Sequence, residues 1–287
     1  HRDLHSFPTR RSSDLGALAL IAARVAAIDD NGHTNVVASS LVNQIDRIPI
    51  RSCILSDGVY VVRALPHASA LLGSRILAVN GYPIEAVRTA LRKYTGGTEA
   101  WRDTRVPIYL EAPSMLRAAG FGSSDTVETL TIQSQDGLTQ SVVLTAIHGG
   151  NDGATAIPCK NLQPQNIGSN RDGWISALSN RAGMLMFAGR PNPFFSQPMP
   201  DAGGYYVRFD QNDDDGGVDI VEFANHVLET LVAARPKFVI VDMRFNSGGN
   251  FILTADFMRR LPKQLPNARF YVLTSPLTFS AGITSSV

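Results

Sequence analysis

Cysteine is scarce, with two in 287 residues, Cys53 and Cys159. That excludes a fold stapled by several disulfides and a zinc centre built mainly from thiolates, and it leaves room for one bridge at most. An excess of either charge is absent as well. Twenty-six Lys and Arg stand against 25 Asp and Glu, a net charge of +1, so there is no basic field to track nucleic-acid phosphates and no acidic field to gather cations. No apolar run approaches the roughly 20 residues that a membrane-spanning helix needs. The H-E-x-x-H, G-x-x-x-x-G-K-[ST] and G-x-G-x-x-G motifs are missing, and Thr278 stands where a G-x-S-x-G elbow around Ser280 would need its first glycine. Neither a metal nor a cofactor is expected. What the chain does have is hydrophobic residues, 44% against 18% charged, at a length that fills one large or two ordinary domains.

The first fifteen residues, HRDLHSFPTRRSSDL, have no helical or strand period and lack the apolar stretch of a signal peptide. They resemble translated sequencing-adapter read-through and are set aside as residues 1–15, a non-native stretch. Removing their three arginines and two aspartates leaves 23 basic and 23 acidic residues. From Leu18 to Ile28 apolar residues are dense and run into the polar turn Asp29-Asp30-Asn31-Gly32, which predicts a helix ending at a loop that carries His33 and Thr34. This helical segment is assigned to residues 16–45. Residues 46–150 predict a small, mostly-β module. Short β-rich runs (Ile48–Ile54, Val59–Arg63, Arg75–Val79, Val127–Ile132, Val142–Ile147) are separated by Asp57-Gly58, Asn80-Gly81 and Asp136-Gly137 turns, with a short helix opened by Pro83.

Residues 149–203 are rich in Gly, Asn and Pro and predict a loop-heavy connection with one strand, Gly183–Phe187. The remainder alternates α and β. Gly204–Phe209 reads as a strand, and Asp219 with Glu222 as a capping box opening a helix that Pro236 stops. Phe238–Val241 reads as a strand covered on both faces, followed by a helix to about Leu261 and a second buried strand, Arg269–Leu273. Such alternation predicts a parallel sheet with crossover helices within residues 151–287. Loops leaving the C-terminal ends of parallel strands meet at one sheet edge, where ligands of open α/β folds bind. Those loops hold Asn246-Ser247-Gly248-Gly249 and Thr278-Phe279-Ser280-Ala281-Gly282. Together they offer a hydroxyl nucleophile and two sources of backbone N–H donors, the parts needed for acyl transfer.

VIVDMRFNSGGN, followed by YVLTSPLTFSAG, resembles the core of the tail-specific (C-terminal processing) serine peptidases, whose fold is crotonase-like. DGVYVVRA with GSRILAVNG resembles their PDZ-type domain, and AARVAAIDDNGHT resembles the helical segment and histidine loop of the tricorn-like branch. The resemblance implies an α/β fold with an incomplete crotonase-like catalytic domain, a PDZ-like mostly-β module and a short helical N-terminal segment. It implies Ser280 as nucleophile, His33 as general base, and an oxyanion hole from the N–H of Ala281 and of Gly248 or Gly249. A protein or peptide substrate, and an extracellular or periplasmic location, follow from the same resemblance. Two departures stand out. Gly32 replaces the family's Ser before the histidine, and Val287 comes before the position of the downstream base Lys or orienting Glu. The expectation is therefore a truncated chain that is inactive by itself, from an active parent.

Simpler readings attach to other residues. His67, His148 and His226 have no partner spacing and read as surface or helix residues. Asp242, ending a strand, reads as a structural hydrogen-bond acceptor. Gln211, Asp213, Asp215, Gly216 and Glu222 approach the spacing of a calcium loop, but the strand before them and the capping role of Glu222 argue against it. The alternative to a peptidase is a non-catalytic protein binding peptides or small apolar ligands on the same fold. An acyl-CoA enzyme of the broader crotonase-like fold fits less well, because it would lack the serine loop.

Overall fold

The computed structural model describes residues 12–36, 44–148, 162, 173–178 and 183–286. It is a mixed α/β structure of two compact units, residues 1–180 and 181–287. Cys53 is disulfide-bonded; Cys159 lies outside the described residues.

In the first unit, helix α1 (Ser12–Ala26) begins inside the stretch set aside as non-native and extends into a 3-10 turn, Ala27–Asp29. Ala19, Leu20, Ala23 and Ala27 are buried, whereas Leu18, Ile21, Val25 and Ile28 on the other face are exposed. The sheet runs in the order β1 (Ile50–Leu55), β2 (Gly58–Ala64), β3 (Arg75–Val79), β5 (Val127–Gln133), β6 (Thr139–Thr145), all antiparallel. β4 (Tyr82–Pro83) pairs with β3, and β7 (Ile175–Ser176) with β2. A bridge between Arg47 and Ile147 joins the two ends of the order. Asn80 and Gly81 both take positive φ, 50° and 83°, the conformation that a tight hairpin turn needs. Helix α2 (Ile84–Leu91) buries Ile84, Val87 and Leu91.

The module is less purely β than its composition predicts, because α3 (Glu99–Leu110) and α4 (Pro113–Ala118) fill the segment before β5. Pro107 inside α3 hides that helix from sequence patterning. Its start is nonetheless capped, with Thr98 Oγ1 accepting from Trp101 N at 3.2 Å. α4 packs against α1. A charged cluster lies under this layer, with Arg47, Arg51, Glu111 and Glu128 all at 1% exposure or less. Glu111 accepts from the backbone and hydroxyl of Ser52 at 2.7 and 2.9 Å and from Arg47, and Arg51 stacks 4.4 Å over the Trp174 ring.

The second unit has the sheet order β11–β10–β9–β8. β9 (Gly204–Phe209), β10 (Phe238–Asp242) and β11 (Arg269–Leu273) are mutually parallel, and β8 (Phe194–Met199) is antiparallel to β9. Helix α5 (Ile220–Ala234) follows β9, and α6 (Ile252–Gln264) follows β10. Their apolar stripes, among them Val227, Leu231, Phe257 and Leu261, share one core with Val207, Phe209, Val239 and Val241. Asp219 Oδ1 caps α5 by accepting from Val221 N and Glu222 N at 2.7 and 2.9 Å, and Arg235 ends it at φ 48°.

Two expectations are corrected in this unit. Residues 185–187 form a 3-10 turn, and the strand of this region is β8, within the proline-rich run. β8 is an edge strand, so Pro198 can sit there without costing an inner ladder bond. Arg269–Leu273 is a strand but not a buried one: Tyr271 and Val272 are 48% and 41% exposed, and among the described residues β11 has a strand neighbour on one side only.

Candidate functional site

β10 ends at Asp242, whose carboxylate is consumed structurally. It accepts from Arg244 N at 3.0 Å, Arg244 Nε at 2.9 Å and Tyr206 Oη at 2.6 Å. Burial pushes this carboxyl up, but the hydrogen bonds from Arg244 and Tyr206 outweigh it and hold it below the usual carboxylate range. Burial and the bond to Asp242 push the Tyr206 phenol the other way, well above its ordinary value.

The loop leaving β10 is organised by Asn246, which is fully buried. Its Oδ1 accepts from Gly248 N at 3.0 Å, its Nδ2 donates to Phe209 O at 3.2 Å, and its backbone O accepts from Phe279 N at 2.9 Å. The last of these contacts ties the loop to the one leaving β11. Two hydroxyls reinforce the tie. Ser275 Oγ donates to Arg244 O at 2.5 Å, and Thr278 Oγ1 donates to Met243 O at 2.9 Å while accepting from Ser275 N at 2.9 Å.

Ser280 follows at φ 53°, ψ −125°, a region that disfavours a β-carbon and costs on the order of 1–3 kcal/mol. Gly248 sits against it: a β-carbon added there would fall 2.7 Å from Ser280 Cβ and 3.3 Å from Ser280 Oγ. With φ at 108°, Gly248 meets both a conformational and a steric demand for glycine. Its N–H is engaged by Asn246, whereas the N–H groups of Gly249 and Ala281 have no hydrogen-bond partner among the described residues. The two sequence-predicted loops therefore meet, and they leave one free amide on each, at Gly249 and Ala281. Ser280 is half-buried, and among the described residues no side chain hydrogen-bonds its Oγ.

His33 belongs to the first unit, in the exposed loop after α1. Asp30, at φ 51°, turns the chain, and its Oδ1 accepts from Gly97 N at 3.0 Å and from Arg102. Those donors, Gly97 first, hold its carboxyl below the usual range. His33 N donates to Asn31 Oδ1 at 2.9 Å, and Thr34 Oγ1 donates to Asp29 Oδ2 at 3.1 Å, so the loop backbone is fixed.

The calcium-like spacing is otherwise engaged. Gln211 Nε2 donates to the carbonyls of Asp213 and Asp214, Asp213 Oδ1 accepts from Asn250 N, and Asp214 Oδ1 accepts from Ile220 N. His148 pairs with Asp46 at 3.1 Å on the surface. Asn212 and Asn246 both organise these loops, a role that no sequence motif assigned to either. Asn246 carries a signal, since an Asn two residues before a glycine pair is a common turn-former; Asn212 carries none.

No protein-family model matches the sequence, and no curated protein matches it significantly. Solved structures do resemble it. The chain is similar to mature CPAF complexed with lactacystin, at 15% identity and a TM-score of 0.48, over 87% of this chain and 49% of that one. It is also similar to the photosystem II D1 C-terminal processing protease, at 14% identity and a TM-score of 0.29, over 92% and 60% of the two chains. The chain thus spans about half the length of the CPAF structure. At these scores and identities the likenesses carry no activity across.

Proposed function

We propose that this chain carries the nucleophile of a serine peptidase of the tail-specific, C-terminal processing kind, with a protein or peptide chain as substrate. In this reading residues 151–287 are the crotonase-like core, residues 46–150 the PDZ-like module, and residues 16–45 the helical segment and histidine loop of the tricorn-like branch. The observation that carries it is Ser280 on a positive-φ turn beside Gly248, with free amides at Gly249 and Ala281.

Ser280 Oγ attacks a peptide carbonyl carbon and gives its proton to the general base, assigned to His33 by the sequence resemblance. The carbonyl oxygen becomes an oxyanion that accepts from Gly249 N–H and Ala281 N–H. The C–N bond then breaks, the departing amine takes the proton back from the base, and water hydrolyses the Ser280 ester. The PDZ-like module recruits an extended chain end as an added strand. The disulfide at Cys53 fits an oxidising, extracytoplasmic compartment.

The test is labelling of the full-length gene product by a fluorophosphonate. Labelling lost in Ser280→Ala and slowed in His33→Ala supports the assignment. Equal labelling of wild type and Ser280→Ala overturns it in favour of a non-catalytic binding protein.

A further inference from the structure

Asn212 lies in the loop between β9 and α5, with none of its surface exposed. Its backbone forms a one-residue parallel bridge with Gly249. Asn212 N donates to Gly248 O at 2.7 Å, and Asn212 O accepts from Asn250 N at 2.9 Å. In a parallel bridge the bonds run to the residues on either side of the opposed one, so the Gly249 N–H is turned away from Asn212 and stays free. The direction of this amide is therefore set by Asn212's backbone.

The side chain of the same residue reaches the other loop. Nδ2 donates to Thr254 Oγ1 at 2.7 Å and to Ser285 Oγ at 2.7 Å, and those two hydroxyls are 2.8 Å apart. Thr254, fully buried on α6, also donates to Phe251 O at 3.2 Å. Ser285 closes the short helix α7 (Ala281–Thr284), its N–H donating to Ala281 O at 2.9 Å. A closed triangle of Asn212, Thr254 and Ser285 thus anchors the far end of the turn that begins at Ser280. Such a network fixes the geometry of the groups it joins more than it adds net stability, and Asn212 Oδ1 is buried with no hydrogen-bond partner among the described residues.

We propose that Asn212 is a positioning residue that holds the Gly249 and Ala281 amides in one frame, backbone on one loop and side chain on the other. The proposal rests on the reading of Ser280 as nucleophile and Gly249 with Ala281 as oxyanion donors. Displacing one donor by a fraction of an ångström should weaken oxyanion stabilisation while leaving substrate binding alone, so the effect falls on acylation rate.

The experiment compares Asn212→Leu, Thr254→Val and Thr254→Ser in the full-length protein by two measurements, the rate at which a fluorophosphonate modifies Ser280 (phosphonylation with loss of fluoride, standing in for acylation) and hydrogen–deuterium exchange. Asn212→Leu is expected to slow acylation by about 10- to 100-fold, with kcat for peptide cleavage reduced and KM unchanged. Thr254→Val should show a smaller loss of the same kind, and Thr254→Ser, which keeps the hydroxyl, should retain the wild-type rate. Asp219→Ala, which removes the cap of α5, serves as a control that destabilises the same unit without slowing acylation. In exchange, Asn212→Leu should speed residues 246–251 and 280–286 together. Acceleration of one segment alone, or an unchanged acylation rate in Asn212→Leu, overturns the proposal. Acylation that is equal in wild type and Ser280→Ala instead sinks the underlying serine reading, and the exchange measurement still decides whether Asn212 couples the two loops.

Discussion

Ser280 occupies a backbone conformation that glycine adopts without penalty, and the contacts of Asn246, Ser275 and Thr278 hold it there. Ser280→Gly should therefore stabilise the second unit by roughly 1 kcal/mol while abolishing acylation; calorimetry and labelling read the two effects separately. Gly248→Ala should do the reverse of a neutral change, since its β-carbon would press on Ser280 Cβ at 2.7 Å. Acylation should fall by about 100-fold or more in that variant. In the first unit, burial pushes the Glu128 carboxyl well above the carboxylate range, with the Glu111 charge adding to it and Arg47 opposing it. The folded state then binds a proton that the unfolded chain releases. Stability is full below the ordinary Glu value and declines as pH rises above it toward the raised folded-state value. Glu128→Gln should raise the melting midpoint at pH 8 and flatten this decline; a lower midpoint with an unchanged pH profile would show that the carboxylate is ionised in the fold.

Elements were legible where one local signal dominated. The runs 204–209, 238–241 and 269–273 are rich in β-branched and aromatic residues, of strand length and bounded by turn or helix signals, and all three are strands. The Asp219 cap and the Pro236 stop frame α5 for the same reason. Truncating that cap in Asp219→Ala should cost about 1 kcal/mol, read by denaturant unfolding. Elements decided by tertiary context were not legible. β8 pairs with β9 despite Pro198, its other edge being unbonded among the described residues, α3 tolerates Pro107, and the exposure of β11 depends on what packs around the strand rather than on its own residues. The site followed the same division. The serine and glycine loops could be read from strand order, whereas the Asn212 network joins residues 42 and 73 positions apart and has no local pattern.

At the scale of the whole molecule, His33 belongs to the first unit, and Ser280 with the Gly249 and Ala281 amides to the second. The near-neutral charge offers no basic field for nucleic-acid phosphates. Everything in the proposed function depends on one covalent bond, that between Ser280 Oγ and an acylating carbon or phosphorus. Peptide mapping by mass spectrometry of the fluorophosphonate-treated full-length protein tests it most directly. A single stoichiometric adduct on Ser280 is expected; an adduct on any other residue, or none, would contradict the proposed function.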